Sequence, residues 1–231
     1  MSLAALLFDV DGTLAETEEA HRAAFNAAFA ARGLDWHWSR DDYRRLLATT
    51  GGKERIAAYL AARGGALPAE EIAAIHADKT ARYVALIAAG DLPLRPGVAE
   101  LIAAARAAGL ALAVATTTSR PNVEALVQAA WGQPAEAVFD VIAAGDEVAR
   151  KKPAPDVYSL ALAKLGLPAD AAIAVEDSRN GLLSAQAAGL RVLLAPSLYT
   201  DHEDHSGADW QVVDLARGPL PPELAGLVAQ R

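Results

Sequence analysis

The chain has no cysteine among its 231 residues. That excludes disulfides, thiolate nucleophiles and zinc held by sulfur. It also lacks a surplus of base: 21 Lys and Arg stand against 29 Asp and Glu, a formal net charge of −8. Such a balance argues against nucleic acid as a partner, while leaving room for an anion in a locally basic pocket. Long apolar runs are missing as well. The stretch Gly97–Thr118 is interrupted by Glu100, Arg106 and Gly109, so it reads as helix, turn and strand rather than as a membrane span. The first residues, MSLAALLFDV, carry no basic segment or cleavage pattern ahead of the acids, so no secretory signal is expected. No internal repeat is found. Low complexity amounts to an alanine bias, which the high helix propensity of alanine explains in runs such as Ile102–Ala108. The expectation is a soluble, cytoplasmic monomer with no membrane partner.

What is present is enough apolar matter for a core, 53% of the residues, which excludes global disorder. Leu6, Leu7 and Phe8 read as a buried parallel strand. Helical spacing follows over Thr17–Arg32, then over Ser39–Leu47, Lys53–Ala62 and Pro68–Ala89, with Gly51-Gly52 and Gly64-Gly65 as punctuation. No strand is expected between Glu16 and Asp91. From Pro96 onward the rhythm alternates. Strands are predicted at Ala111–Ala115, Phe139–Ala143, Ala172–Val175, Arg191–Ala195 and Gln211–Val213. Helices lie between them, and a tail helix runs over Pro222–Ala229. This pattern predicts an α/β protein: a Rossmann-like, doubly wound parallel sheet with an inserted small α-helical cap. Residues 1–15 and 92–231 would form the core, and 16–91 the cap.

In such a sheet, ligands bind beyond the carboxyl ends of the strands. Polar residues crowd those ends. The first strand runs into Asp9-Val10-Asp11-Gly12-Thr13, where period-two geometry would set both acids on one side. Two carboxylates so placed need a cation or a shared proton to relieve them. The second strand ends in Thr116-Thr117-Thr118, the third is followed by Lys151-Lys152-Pro153, and the fourth ends in Glu176-Asp177. Together these form a hard, oxygen-rich site suited to Mg²⁺, with a lysine and a hydroxyl to cradle a phosphoryl group. Asp9 can attack phosphorus as a carboxylate nucleophile, and Asp11 can serve as acid and then base. Thr116 and Lys152 complete the catalytic set, while Thr117 is placed to bind substrate. Within the helical insert, Gly51, Gly52, Lys53 and Arg55 suggest a second anion site for the substrate, and Glu16 and His21, at the start of its first helix, are further substrate-binding candidates. Lys79 reads as part of a solvated helix face, Trp36 and Trp38 as packing within the insert, and His202–Asp209 as a surface loop.

The succession DVDGT, Thr116, Lys152 in KKPAPD and Glu176-Asp177 in VEDS resembles the haloacid dehalogenase-like phosphohydrolases, over nearly the whole chain. The resemblance implies Mg²⁺ held by Asp9, the Asp11 main-chain carbonyl and Asp177, with Glu176 in or beside that set. It also implies a helical cap that closes over the substrate. The combination LAETEEAH, TTGGKERI, VATTTS, KKPAPD and EDSRNG is similar to the CbbY-type branch. That branch implies a phosphatase for a small phosphorylated sugar, xylulose-1,5-bisphosphate, which forms as a Rubisco side product; the product would be xylulose 5-phosphate. β-Phosphoglucomutase and phosphoglycolate phosphatase are the neighbouring alternatives. Glu16, where many relatives carry aspartate, and the added Lys151 count against a pure mutase without excluding one.

Overall fold

The computed structural model describes residues 2–90 and 92–228. Met1, Asp91 and residues 229–231 fall outside them, including the last residue of the expected insert and the end of the expected tail helix. Strands β1 (Ala5–Phe8), β2 (Ala111–Ala115), β3 (Val141–Ala143), β4 (Ala172–Glu176), β5 (Arg191–Leu194) and β6 (Trp210–Gln211) form one parallel sheet in the order β3-β2-β1-β4-β5-β6. Helices α1 (Glu18–Ala31), α2 (Arg40–Leu46), α3 (Gly52–Ala62) and α4 (Ala69–Ala89) follow β1. Then come α5 (Val98–Ala107), α6 (Arg120–Trp131), α7 (Ala135–Val138), α8 (Asp156–Leu165), α9 (Arg179–Ala187) and α10 (Pro222–Val228).

Alternation along the strands builds two unlike faces. Leu6 and Phe8 of β1, Leu112 and Val114 of β2, and Ile173 and Val175 of β4 pack with α5, α6 and α10. The intervening Ala113, Ala115, Ala172 and Ala174 meet α8 and α9 instead, through Tyr158, Ala161, Leu182 and Ala185. Small side chains on that face let the two helices lie close to the sheet. The strand alanines therefore carry a packing role beyond their propensity.

Strand order reverses between β1 and β4, the position where a doubly wound sheet opens a crevice. Phe8 is in register with Val114 and with Val175, and the Asp9 N–H donates to Val175 O at 3.0 Å. The register thus brings Asp9, the end of β2 and Glu176 level at that crevice. Two strand expectations shift. β3 begins at Val141 rather than Phe139, because α7 runs to Val138, Phe139 turns into the core and the Asp140 carboxylate takes the Leu112 N–H at 2.8 Å. β6 lies slightly earlier than expected, and Val213 is 68% exposed, already clear of the sheet.

The helical block α1–α4 has its own apolar centre of Phe25, Phe29, Trp38, Tyr43, Ile56, Leu60 and Ile75. Trp38 is fully buried in it and Trp36 packs at its edge. A capping box starts α2: Ser39 Oγ accepts the Asp42 N–H at 3.1 Å and the Asp42 carboxylate accepts the Ser39 N–H at 3.2 Å. The two chain crossings into and out of the block meet in an antiparallel bridge between Ala15 and Leu94. Arg95 clasps that crossing, donating to Gly12 O, to Ala195 O at 2.8 Å and to Pro196 O at 2.6 Å. Among the described residues, no helix is long and apolar enough to cross a membrane.

Candidate active site

Asp9 and Glu176 both leave the sheet on the α8–α9 face, continuing the alternation Ala5, Leu7, Asp9 and Ala172, Ala174, Glu176. Lys152, delivered by the loop between β3 and α8, lies between them. Its Nζ is 2.6 Å from Asp9 Oδ1 and 2.6 Å from Glu176 Oε1. Tyr158 of α8 donates its hydroxyl to Glu176 Oε1 at 2.5 Å. All three charged groups are buried, so each interaction acts at low effective dielectric. The flanking carboxylates hold Lys152 well above the usual lysine range, against the opposing effect of burial. Gly181 of α9 makes room for this arrangement, since a Cβ there would lie 1.9 Å from Glu176 Oε2.

Asp177 points the other way from Glu176, as the next residue of an extended chain should. It meets Gly12, whose φ is +82° and where a Cβ would fall 2.3 Å from Asp177 Oδ2. Thr200 Oγ1 lies 2.7 Å from Asp177 O and 3.1 Å from Asp177 Oδ2. Asp9, Glu176 and Asp177 each offer a carboxylate oxygen within 4.8 Å of the others, and all three are buried. Burial, with Glu176 and Asp11 nearby, outweighs Lys152 and pushes Asp9 up to about 7. Burial, then Asp9 and Glu176, raises Asp177 well above the carboxylate range. Three buried acids gathered around one lysine, which contacts only Asp9 and Glu176, are under-compensated in charge. Their all-oxygen donor set fits a hard divalent cation such as Mg²⁺.

Asp11 does not join them. The strand ends at Phe8, so period two no longer governs, and the Asp11 side chain turns toward α1. Its Oδ1 accepts from Thr17 Oγ1 at 2.6 Å and lies 2.8 Å from His21 Nε2. The expected face-to-face pair of Asp9 and Asp11 is thereby corrected, since each acid has partners of its own. Burial alone would raise Asp11, but His21, Thr17 and Lys79 more than offset it and hold the carboxyl well below its ordinary range.

Lys79, expected on a solvated face, is buried with its Nζ 2.6 Å from His21 Nδ1. It lies over the rings of Phe25 and Tyr83 at about 5.0 and 5.1 Å. Burial lowers Lys79 to about 7. Burial, aided by Lys79, lowers His21 to about 4 despite Asp11. The Asp11 carboxylate can only accept, so His21 Nε2 carries the proton and donates to it, which leaves Nδ1 to accept from Lys79 Nζ. Both ring nitrogens then have partners, and His21 holds Asp11 in place while itself lining the cavity.

The acid cluster opens into one cavity that extends under the helical block, to Gly51, Gly52, Arg55, His76 and Lys79. Thr116 and Thr117 line it at the end of β2. Arg55 is held in place by bonds from Nη1 to Tyr43 Oη at 2.9 Å and from Nε to Leu46 O and Thr49 O, both at 3.2 Å. Two expected substrate residues are elsewhere. Lys53 is exposed and outside the cavity. Glu16 lies on the opposite side of the chain crossing, 3.2 Å from Arg95 Nε, with the Leu198 N–H on its carboxylate. Glu18 occupies the cavity wall instead, two positions further along. Sequence reading also missed His76, which shares a helix face with Lys79 at i, i+3, and Tyr158. The segment read as a surface loop is only partly one: His205 is buried and Glu203 lines the cavity.

A buried carboxylate at the switch point of such a sheet, gripped by lysine and flanked by two further acids and strand-end threonines, is an arrangement suited to cleaving a phosphoric monoester. A family model for haloacid dehalogenase-like hydrolases matches residues 3–189. The CbbY protein of Rhodobacter capsulatus is 62% identical over 226 residues, covering 97% of this chain and all of that one. The crystal structure of CbbY from Rhodobacter sphaeroides in complex with phosphate superposes with a TM-score of 0.90 at 59% identity, covering 93% of this chain and 95% of that one. An aspartate-to-asparagine variant of the same Rhodobacter sphaeroides protein, in complex with xylulose-1,5-bisphosphate, gives a TM-score of 0.90 at 58% identity with the same coverage. The chain belongs to the haloacid dehalogenase-like hydrolase family.

Proposed function

We propose that the protein is a Mg²⁺-dependent phosphatase for a sugar bisphosphate, converting xylulose-1,5-bisphosphate to xylulose 5-phosphate through an aspartyl-phosphate on Asp9. The observation that carries this reading is the single cavity joining two unlike ends. One end holds Asp9, Lys152 and the acid cluster; the other holds Arg55 and the Gly51-Gly52 main chain. A substrate with one phosphate at each end matches that polarity. The xylulose-1,5-bisphosphate complex of the Rhodobacter sphaeroides protein supports the same choice.

In the first half-reaction an Asp9 oxygen bonds to phosphorus while the bond to the sugar oxygen breaks, and that oxygen takes a proton from Asp11. In the second, water attacks phosphorus, Asp11 accepts its proton, the bond to Asp9 breaks and phosphate leaves. His21 and Thr17 hold the Asp11 carboxylate at hand for both transfers. Entry of a phosphate dianion beside Asp11 raises its pKa toward the protonated state that the first half needs. Lys152 orients Asp9 and offsets charge on the transferred group. Mg²⁺, held by Asp9, Asp177 and the Asp11 carbonyl with Glu176 beside them, would supply further neutralisation of that charge.

The direct test is phosphate release with Mg²⁺ from xylulose-1,5-bisphosphate, compared with ribulose-1,5-bisphosphate, phosphoglycolate and β-glucose 1-phosphate. A strong preference for the xylulose ester is expected. Indiscriminate release would remove the substrate assignment, and conversion of β-glucose 1-phosphate to glucose 6-phosphate without release would identify a mutase. For the distal end, Arg55→Ala is expected to raise KM for the bisphosphate at least about tenfold, roughly the worth of one charge-assisted hydrogen bond. KM for a small monophosphate should change little, and Lys53→Ala should be silent on both. Equal effects of Arg55→Ala on the two substrates would count against a distal phosphate site.

Metal binding should depend on pH in a defined direction. Asp9 is raised to about 7 and Asp177 lies well above its ordinary value, so the metal-free fold retains protons that the unfolded chain releases near pH 4. The resulting stability is complete below pH 4 and is lost as pH rises through about 7. Mg²⁺ requires the anions. Added Mg²⁺ is therefore expected to raise the Tm more at pH 8 than at pH 6, and chelation to abolish turnover. An equal Tm rise at the two pH values would contradict this.

A further inference from the structure

The loop after β5 is gripped from two sides within a few residues. Toward the helical block, Tyr199 is buried among its aromatic side chains, edge-on to Tyr43 with ring centroids 5.9 Å apart, and its hydroxyl donates to Glu19 of α1. Arg44 of α2 donates to Leu198 O at 2.9 Å and to Tyr199 O at 3.4 Å, and pairs with Asp201. Toward the sheet, the next residue, Thr200, sets its hydroxyl against both the main-chain oxygen and the carboxylate of Asp177. The Ser197 N–H fixes that hydroxyl at 2.9 Å. Tyr199 and Thr200 are adjacent and extend in opposite senses, so one cannot shift far without moving the other.

We propose that this loop links docking of the helical block to the geometry of Asp177, making Tyr199 and Arg44 positioning residues for the metal site. The inference rests on the metal reading above and deepens it. Asp177 is shaped by Thr200, and Thr200 is placed by a loop whose anchor is the helical block. A block seated on the core therefore favours the metal-competent Asp177, and by linkage a bound cation favours the seated block.

The test is calorimetric titration of Mg²⁺ into metal-free protein, with the Mg²⁺-induced rise in Tm as an independent readout. Thr200→Val, which removes the direct contact, is expected to weaken Mg²⁺ binding roughly tenfold or more. Tyr199→Ala and Arg44→Gln, which touch none of the three acids, are expected to weaken it about threefold to tenfold, a coupling of ordinary size. Tyr199→Phe keeps the ring in place and should stay within about twofold of wild type, a smaller change than that coupling. Tyr199→Ala and Arg44→Gln proteins that lose Tm but bind Mg²⁺ like wild type would overturn the linkage and leave the metal site standing. Should Tyr199→Ala fail to fold, Arg44→Gln decides alone by the same criterion. A wild-type protein that binds no Mg²⁺ would overturn the metal reading and the linkage with it.

Discussion

Asp9→Asn is expected to abolish phosphate release, by roughly four to six orders of magnitude, the scale seen when a covalent nucleophile is removed. The amide is nearly isosteric but cannot form the phospho-enzyme. The fold should survive, because Lys152 keeps its 2.6 Å contact with Glu176 when the Asp9 charge is gone. The metal-free Tm should hold or rise, since the lost carboxylate is one that burial and its acidic neighbours disfavour as an anion. Mg²⁺ binding should weaken through loss of one of the three clustered acids. Burst kinetics on the wild type and steady-state release by the variant check this together. Near-normal turnover in the variant would mean that another group attacks phosphorus.

Lys152→Met should lose both activity and stability. The side chain is 4% exposed and bridges two carboxylates that are themselves buried. Removing the cation strands two charges in a low dielectric, a change that costs about 3–5 kcal/mol. In a chain of this size that corresponds to a fall in Tm of roughly 10 °C. The loss should be pH-dependent. Asp9, already raised with lysine present, moves further up without it, so the variant should regain stability as pH falls and Asp9 takes up a proton. Turnover should stay absent at every pH, because the transferred phosphoryl group loses its fixed counter-charge. A variant as stable as wild type at pH 8 would show that the lysine carries little of the electrostatic balance inferred for it.

These two residues were legible because their placement follows from rules that act along the chain. Alternating strands and helices imply a parallel sheet, and a parallel sheet presents all its carboxyl ends at one edge. Asp9, Thr116, Lys152 and Glu176-Asp177 each end or follow a strand, so their convergence can be read before any coordinate is known. Strand periodicity even accounts for Asp9 and Glu176 sharing the α8–α9 face while Asp177 turns away.

The helical block was legible as helices and little more. A solvent-facing and a cavity-facing lysine look alike in sequence, and Lys79 became a buried partner of His21 only because α4 packs against α1. Glu16 and Glu18 are equally acidic and two positions apart. The bridge of Ala15 to Leu94 turns the first toward Arg95, and the start of α1 turns the second into the cavity. Tyr199 gave no signal, since its partners lie more than 150 positions away on α1 and α2. The sheet, and the convergence of Asp9, Thr116, Lys152, Glu176 and Asp177 at its carboxyl edge, could be read from the chain alone, because period and strand polarity are local properties. Tertiary structure alone decided which side chains of the block face that edge and how the block is tied to Asp177. Those directions depend on how helices distant in the chain pack against one another.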